Sequence, residues 1–214
     1  MTELQGENLS CVDCGVKACR EAKGEKKYPD FCVTKKLSPE KIKEVISWYE
    51  EEENHKVTIV SASIESDFYL KYTRVEETIE FAKRLGAKKI GIATCSGLLK
   101  EASVFAKLLR KNGFEVYGIC CKVGAIPKVE VGIETYSEKT GPNMCNPILQ
   151  PKLLNEAGTD LNVVIGLCVG HDSLFYKYSE ALTTTLISKD RVTGHNPAAV
   201  LYNIDSFYKR LMKE

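Results

Sequence analysis

Nine cysteines in a chain of 214 residues are where chemistry can start. Four lie early, at Cys11, Cys14, Cys19 and Cys32, spaced C-x2-C-x4-C-x12-C. Thiolates packed this closely, in a segment poor in apolar residues, predict a small knuckle held by metal. Zinc binds four thiolates as a tetrahedron, and a [4Fe-4S] cluster also takes four. The usual ferredoxin spacing differs from this one, so the pattern predicts a metal without choosing which. The bland alternative is a set of reduced thiols with no ligand. Lysines and acids alternate through the segment, which argues against a zinc ribbon that grips nucleic acid.

Four more cysteines, Cys95, Cys121, Cys145 and Cys168, lie far apart in the chain but at similar places in its pattern. The clearest is in Gly166-Leu-Cys-Val-Gly-His-Asp172, which follows an apolar run and precedes an amphipathic one. That reads as strand, turn and helix, and such turns line the carboxyl edge of an open α/β sheet, where ligands bind. Cys95 and Cys121 also end apolar runs. Of the pair Cys120 and Cys121, only one can point to a given face, and Cys121 is the chosen ligand. Cys145 precedes Asn146-Pro147, a helix-start pair, and His195 stands in the same relation to Asn196-Pro197. A helix N-terminus favours thiolate over thiol.

Four thiolates so arranged predict an iron–sulfur cluster or zinc, with redox or Lewis-acid chemistry on a small molecule; the alternative is a zinc-binding or a metal- and sulfur-handling protein, a metallochaperone or sensor, without catalytic turnover. His171 and His195 are candidate proton donors or substitute ligands, and Arg191 a candidate anchor for an anionic group. Asp172 is read first as a helix cap, then as an orienter of histidine or a general base. Against each stands a plainer reading. A lone cysteine at a strand end is usually a small buried hydrophobe, a histidine at a helix start is often structural, and an arginine most often pairs with an acid.

The elements that must position these residues follow from patterning. Ser38-Pro39 opens a helix with Ile42, Val45, Ile46 and Tyr49 on one side. The stretch 56–70 fits either period, and helix is favoured. Thr73-Arg-Val-Glu76 is a capping box, and Gly86 ends the helix it starts. Strands are expected at 89–94, 114–120, 162–167 and 182–187, with helices between and after them. The connection 125–144 is the long one. Alternation of this kind predicts an α/β fold: a mainly parallel, Rossmann-like sheet of about four strands with flanking helices, plus the N-terminal metal knuckle. Boundaries are expected at 37/38 and 86/87, giving a cysteine-rich module at 1–37, a helical segment at 38–86 and the α/β domain at 87–214.

Composition removes several classes of function. A net charge of +1 offers no case for nucleic acid. No run approaches about 18 apolar residues, so no membrane span is expected. The first ten residues lack a signal-peptide core, which predicts a cytoplasmic protein, where so many cysteines favour metal over disulfides. Neither G-x-G-x-x-G after a strand nor G-x-x-x-x-G-K-[ST] occurs, so nucleotide binding lacks its marks. A small molecule or an electron-transfer partner remains as the expected ligand.

Several longer motifs carry a resemblance. They are Cys11-x2-Cys14-x4-Cys19, Thr73-Arg-Val-Glu76, Cys120-Cys-Lys-Val-Gly124, Met144-Cys-Asn-Pro147, Asn155-Glu-Ala-Gly-Thr-Asp160, Gly166-Leu-Cys-Val-Gly-His-Asp172 and Lys189-Asp-Arg-Val-x-Gly-His-Asn-Pro197. Together they resemble a family of uncharacterised, cysteine-rich prokaryotic proteins described as predicted metal-binding proteins of a domain of unknown function. The resemblance implies metal binding and carries no reaction with it. One departure is Gln150-Pro151, where the family pattern implies Gln-Ala.

Overall fold

The computed structural model describes residues 9–21, 27–133 and 140–213. Parts of the expected knuckle (1–8 and 22–26) and of the long connection (134–139) lie outside them. The chain divides into two compact units, 1–59 and 60–214. That division falls inside one helix, away from the expected boundaries at 37/38 and 86/87.

In the first unit, short 3-10 turns at Cys11–Asp13 and Ala18–Arg20 are followed by α1 (Val33–Lys36) and α2 (Pro39–Trp48). Ser38 caps α2, its hydroxyl accepting from the amide of Lys41, and Pro39 fills the first turn where no amide hydrogen is needed. The apolar side chains of α2 stay largely exposed, Ile46 at 54% and Trp48 at 52%. The ambiguous stretch 56–70 lies within and just beyond a helix, α3 (Glu52–Phe68), whose Val60 and Ile64 are buried one turn apart.

The second unit is the α/β part. It contains α4 (Arg74–Leu85), β1 (Lys89–Thr94), α5 (Leu99–Lys111), β2 (Glu115–Cys120), α6 (Leu149–Glu156), β3 (Leu161–Ile165), α7 (His171–Tyr178), β4 (Leu182–Ile187) and α8 (Ala198–Tyr202). The box between Thr73 and Glu76 starts α4, and Gly86, at φ 74°, ends it. The strands form one parallel sheet in the order β2-β1-β3-β4. This is the α/β fold that the alternation of elements predicted.

Register divides the helices between the two faces. Ile92, Thr94, Val116 and Gly118 line a groove with α5, so α5 covers their face. Thr184 lies on that same face in register and lines a groove with Arg74, Thr78 and Phe81 of α4. On the other face, Gly91 sits under Leu154 of α6, and Tyr176 of α7 bonds Thr185. Ile90, Val163 and Ile165 of the sheet and Phe175 of α7 are fully buried.

Two glycines are fixed by close approach. A Cβ on Gly91 would strike the side chain of Asn162, itself buried and bonded to Thr159 and Ser179. A Cβ on Gly166 would lie 2.6 Å from Leu98 Cδ1, and Gly166 has φ +67°. That left-handed residue ends β3 at Ile165, where the apolar run alone predicts continuation to Leu167.

The strand order places the functional edge. The chain leaves β1 for β2 through α5 on one face. It returns past β1 to β3 through α6 on the other. The carboxyl ends of β1 and β3 therefore flank a switch point, where helices diverge and a crevice opens. Among the described residues, no helix is long and apolar enough to cross a membrane.

Candidate metal centre

Cys95 follows β1, Cys121 follows β2, and Cys168 lies in the turn after β3, all at that carboxyl edge. Cys145 arrives from the long connection and is held there by its neighbour. The Asn146 amide donates to the Cys121 carbonyl at 2.7 Å, while the Asn146 side chain accepts from the Leu149 amide at the start of α6. The Asn-Pro pair thus docks α6 against the end of β2 and brings Cys145 with it.

The sulfurs form a chain of contacts. The Cys95 thiol donates to Cys121, and Cys121 donates to Cys145. The amide of Ser96 also donates to Cys121 Sγ at 3.3 Å. Donation to Cys121 and burial push the Cys95 thiol up to about 12. Donation to Cys145 likewise raises Cys121. Cys145, as acceptor, is held down at about 6, and Lys122 adds to the effect. Cys145 is therefore the thiolate of the three at neutral pH. Cys168 is tied in through charge: it acts on Cys145 and accepts from Arg191 Nη2 at 3.2 Å.

Cys121 is 3% exposed and meets Cys95 and Cys145. Cys120 lies on the opposite face, in a groove with Ile92, Val116 and the residues of α5.

Cations surround the sulfurs. Lys122 acts on Cys145 and donates to the carbonyls of Asn143 and Thr140, which fixes the approach to Cys145. Lys189 acts on Cys95 and lies over Gly97, where a Cβ would come within 3.4 Å of its ammonium. Arg191 acts on Cys95, Cys145 and Cys168. Lys122 and Lys189 stand inside the longer motifs, but nothing in those motifs marks them as partners of the sulfurs, a role they gain only through folding.

His171 begins α7 beside this group. Burial lowers its pKa, and Lys122 and Arg191 lower it further against the opposing pull of Asp172 and Cys95. The neutral imidazole that results suits a base or a ligand better than a cationic proton donor. Asp172 accepts from the amides of Gly170 and Ser173, closing the turn that carries His171. His195 is engaged elsewhere. It sits at φ +70°, its amide donates to the Asp190 carbonyl, and its Nδ1 accepts from the Asp190 amide. The expected parallel with Cys145 also fails at Asn196, whose side chain makes no cap on the five-residue α8.

Gln150, in the first turn of α6, is fully buried. Its Nε2 donates to the carbonyls of Ile119 at 2.8 Å and Thr94 at 3.3 Å, bridging the ends of β2 and β1. Among the described residues its Oε1 has no hydrogen-bond partner, at a cost of about 1–3 kcal/mol.

In the first unit, Cys11, Cys14, Cys19 and Cys32 all line one cavity of about 150 Å³, with Ala18, Tyr28, Pro29 and Phe31. Cys32 precedes α1, and the backbone amides of Lys35 and Thr34 hold its thiol below the ordinary range. Among the described residues, no three Cys, His, Asp or Glu side chains stand close enough to hold a single ion as they are.

With this geometry in place, the chain's similarity to known proteins can be stated. Residues 32–186 match the family model described as protein of unknown function (DUF1847). The uncharacterized protein MJ0455 of Methanocaldococcus jannaschii is 46% identical over 205 residues, covering 96% of this chain and 99% of that one. Two crystal structures of Dph2 from Pyrococcus horikoshii, one with a 4Fe-4S cluster, align at TM-scores of 0.36 and 0.35 with 20% and 18% identity. Each alignment covers 65% of this chain and only 32% of the Dph2 chain.

Proposed function

This chain belongs to the DUF1847 family, and we propose that it is a metal-binding protein whose sheet edge holds an iron–sulfur cluster. The observation that carries this reading is convergence. Cys95, Cys121, Cys145 and Cys168 come from four separate segments, and their sulfurs interact at the carboxyl edge of the sheet. The donor set suits the group. Four thiolates are the complement of a [4Fe-4S] cluster, and Lys122, Lys189 and Arg191 offset the negative charge that four thiolates bring.

Such a cluster would supply electron transfer, or Lewis-acid activation of a small molecule if one of the four thiolates gave up its place. The chain's own residues supply the rest. Arg191 anchors an anionic group, His171 takes up a proton, and Asp172 holds the turn that presents His171. The four cysteines of the first unit hold a second metal, zinc or iron–sulfur, in the cavity that they line.

The test is anaerobic purification with iron, sulfide and zinc analysis of the wild type and of Cys→Ser variants. Serine at 95, 121, 145 or 168 should each remove iron and sulfide, and Cys120→Ser should remove none. Zinc in place of iron, or metal content indifferent to all four changes, overturns the reading.

A further inference from the structure

We propose that Gln150 is the positioning residue of the sheet-edge site: its amide sets the separation of the strand ends that present Cys95 and Cys121. The inference deepens the metal-binding reading and rests on the same site. In a parallel pair, β1 and β2 are laced by their ladder as far as Thr94 and Cys120, and one further bond runs from the Cys121 amide to the Thr94 carbonyl. Past that point the chains diverge, Cys95 into the turn that precedes α5 and Cys121 toward the long connection. Gln150 Nε2 donates to the carbonyl of Thr94, the residue before Cys95, and of Ile119, two residues before Cys121. A single planar amide therefore fixes both strands at the level where their sulfurs meet. It does so from α6, the helix docked through Asn146 just after Cys145. One side chain thereby couples three of the four sulfurs.

The cost of this arrangement argues for a role beyond packing. Gln150 is wholly buried, and its Oε1 is left without a partner among the described residues. The bonds made and the bond left unmade roughly offset, so the fold gains little from a glutamine there. An apolar side chain of the same length would fill the space without the orphan, but it could not tie the strand ends together.

The experiment uses the metal-free, full-length protein and the variant Gln150→Met, which keeps length and removes the amide. Cys95 and Cys121 should be alkylated by iodoacetamide at least about ten-fold faster than in the wild type, as read by peptide mapping. Cys120, on the opposite face, is the internal control and should not change, and the thermal midpoint should hold or rise. Equal rates at Cys95 and Cys121 overturn the proposal, as does an equal rise at Cys120, which marks general loosening. Should Gln150→Met not fold, the smaller apolar variant Gln150→Leu replaces it under the same criteria for the alkylation rates. Because this measurement needs no metal, a protein that binds none would defeat the metal-centre reading while leaving this result to stand alone.

Discussion

Arg191 Nη2 lies 3.2 Å from Cys168 Sγ, an interaction made between the loop after β4 and the turn after β3. The pair joins adjacent strands at the open edge, and the guanidinium also acts on Cys95 and Cys145. Arg191→Ala should weaken metal retention at this site. The side chain is exposed, so solvent screening keeps the effect near the low end for charged hydrogen bonds, about 1 kcal/mol or five-fold in affinity. Competition against a chelator measures it. Arg191→Lys keeps the charge but loses the planar fork and should fall between the two.

Cys145 offers a pH signature. Its thiol is held at about 6 by the hydrogen bond from Cys121 and by Lys122, against an ordinary value of 9.0. In metal-free protein its alkylation rate should rise with a midpoint near pH 6. Cys121→Ala removes the donor and should move that midpoint up.

The same group should appear in stability. Between pH 6 and 9, Cys145 is ionised in the folded chain and protonated in the unfolded one, so unfolding takes up a proton and stability rises with pH. This contribution is complete above the unfolded value and lost as pH falls through about 6. Cys95 works the other way. Raised to about 12, it is a thiol in the folded chain where the unfolded chain has ionised, so its contribution is full below 9 and lost above it. Their combined contribution therefore peaks near pH 9. Urea midpoints of reduced, metal-free protein at pH 6, 7.5, 9 and 10 test both signs.

Much of the edge was legible in the sequence, because strands and turns leave local marks. β1 and β4 occupy the expected residues, since each is bounded by residues that break the alternation. Cys95 and Cys121 were visible because each ends an apolar run. Lys122, Lys189 and Gln150 were not, because their roles arise between segments distant in sequence. Gln150 in particular reads as a polar residue in the first turn of a helix until β1 and β2 are laid beside it. The His195-Asn-Pro197 turn misled for the opposite reason. It repeats the local pattern of Cys145-Asn-Pro147, but its imidazole accepts from the Asp190 amide within its own loop. The Gln150-Pro151 pair proved harmless, because Pro151 is the third residue of α6, where no intrahelical amide bond is required.

Gly166 couples fold to site. Its φ of +67° disfavours any L side chain, and a Cβ there would press on Leu98, which is fully buried. Left-handed strain costs about 1–2 kcal/mol, and overpacking adds about 1–3 kcal/mol. Gly166→Ala should therefore destabilise the protein by about 2–5 kcal/mol in urea. Leu98 lies three residues after Cys95 and Gly166 two before Cys168, so the shift should also reduce metal content. Full stability in the alanine variant would show that the turn relaxes freely.

The first unit should depend on its metal for order. Its described residues bury almost nothing: Ala18 is enclosed, while Ile42, Ile46 and Trp48 of α2 remain about half exposed. A segment this poor in core needs another source of cohesion, and cysteines around one cavity provide it when a metal joins them. Removing metal with a chelator should make the region around Cys11 to Cys32 susceptible to protease. The sheet is buried at its central strands and laced by its own ladder, so it should resist cleavage under the same treatment. Cys11→Ser or Cys14→Ser should reproduce the cleavage without chelator, and the melting of the α/β unit should stay within about 2 °C of the wild type. Proteolysis equal in the presence and absence of metal would show that the knuckle stands without it.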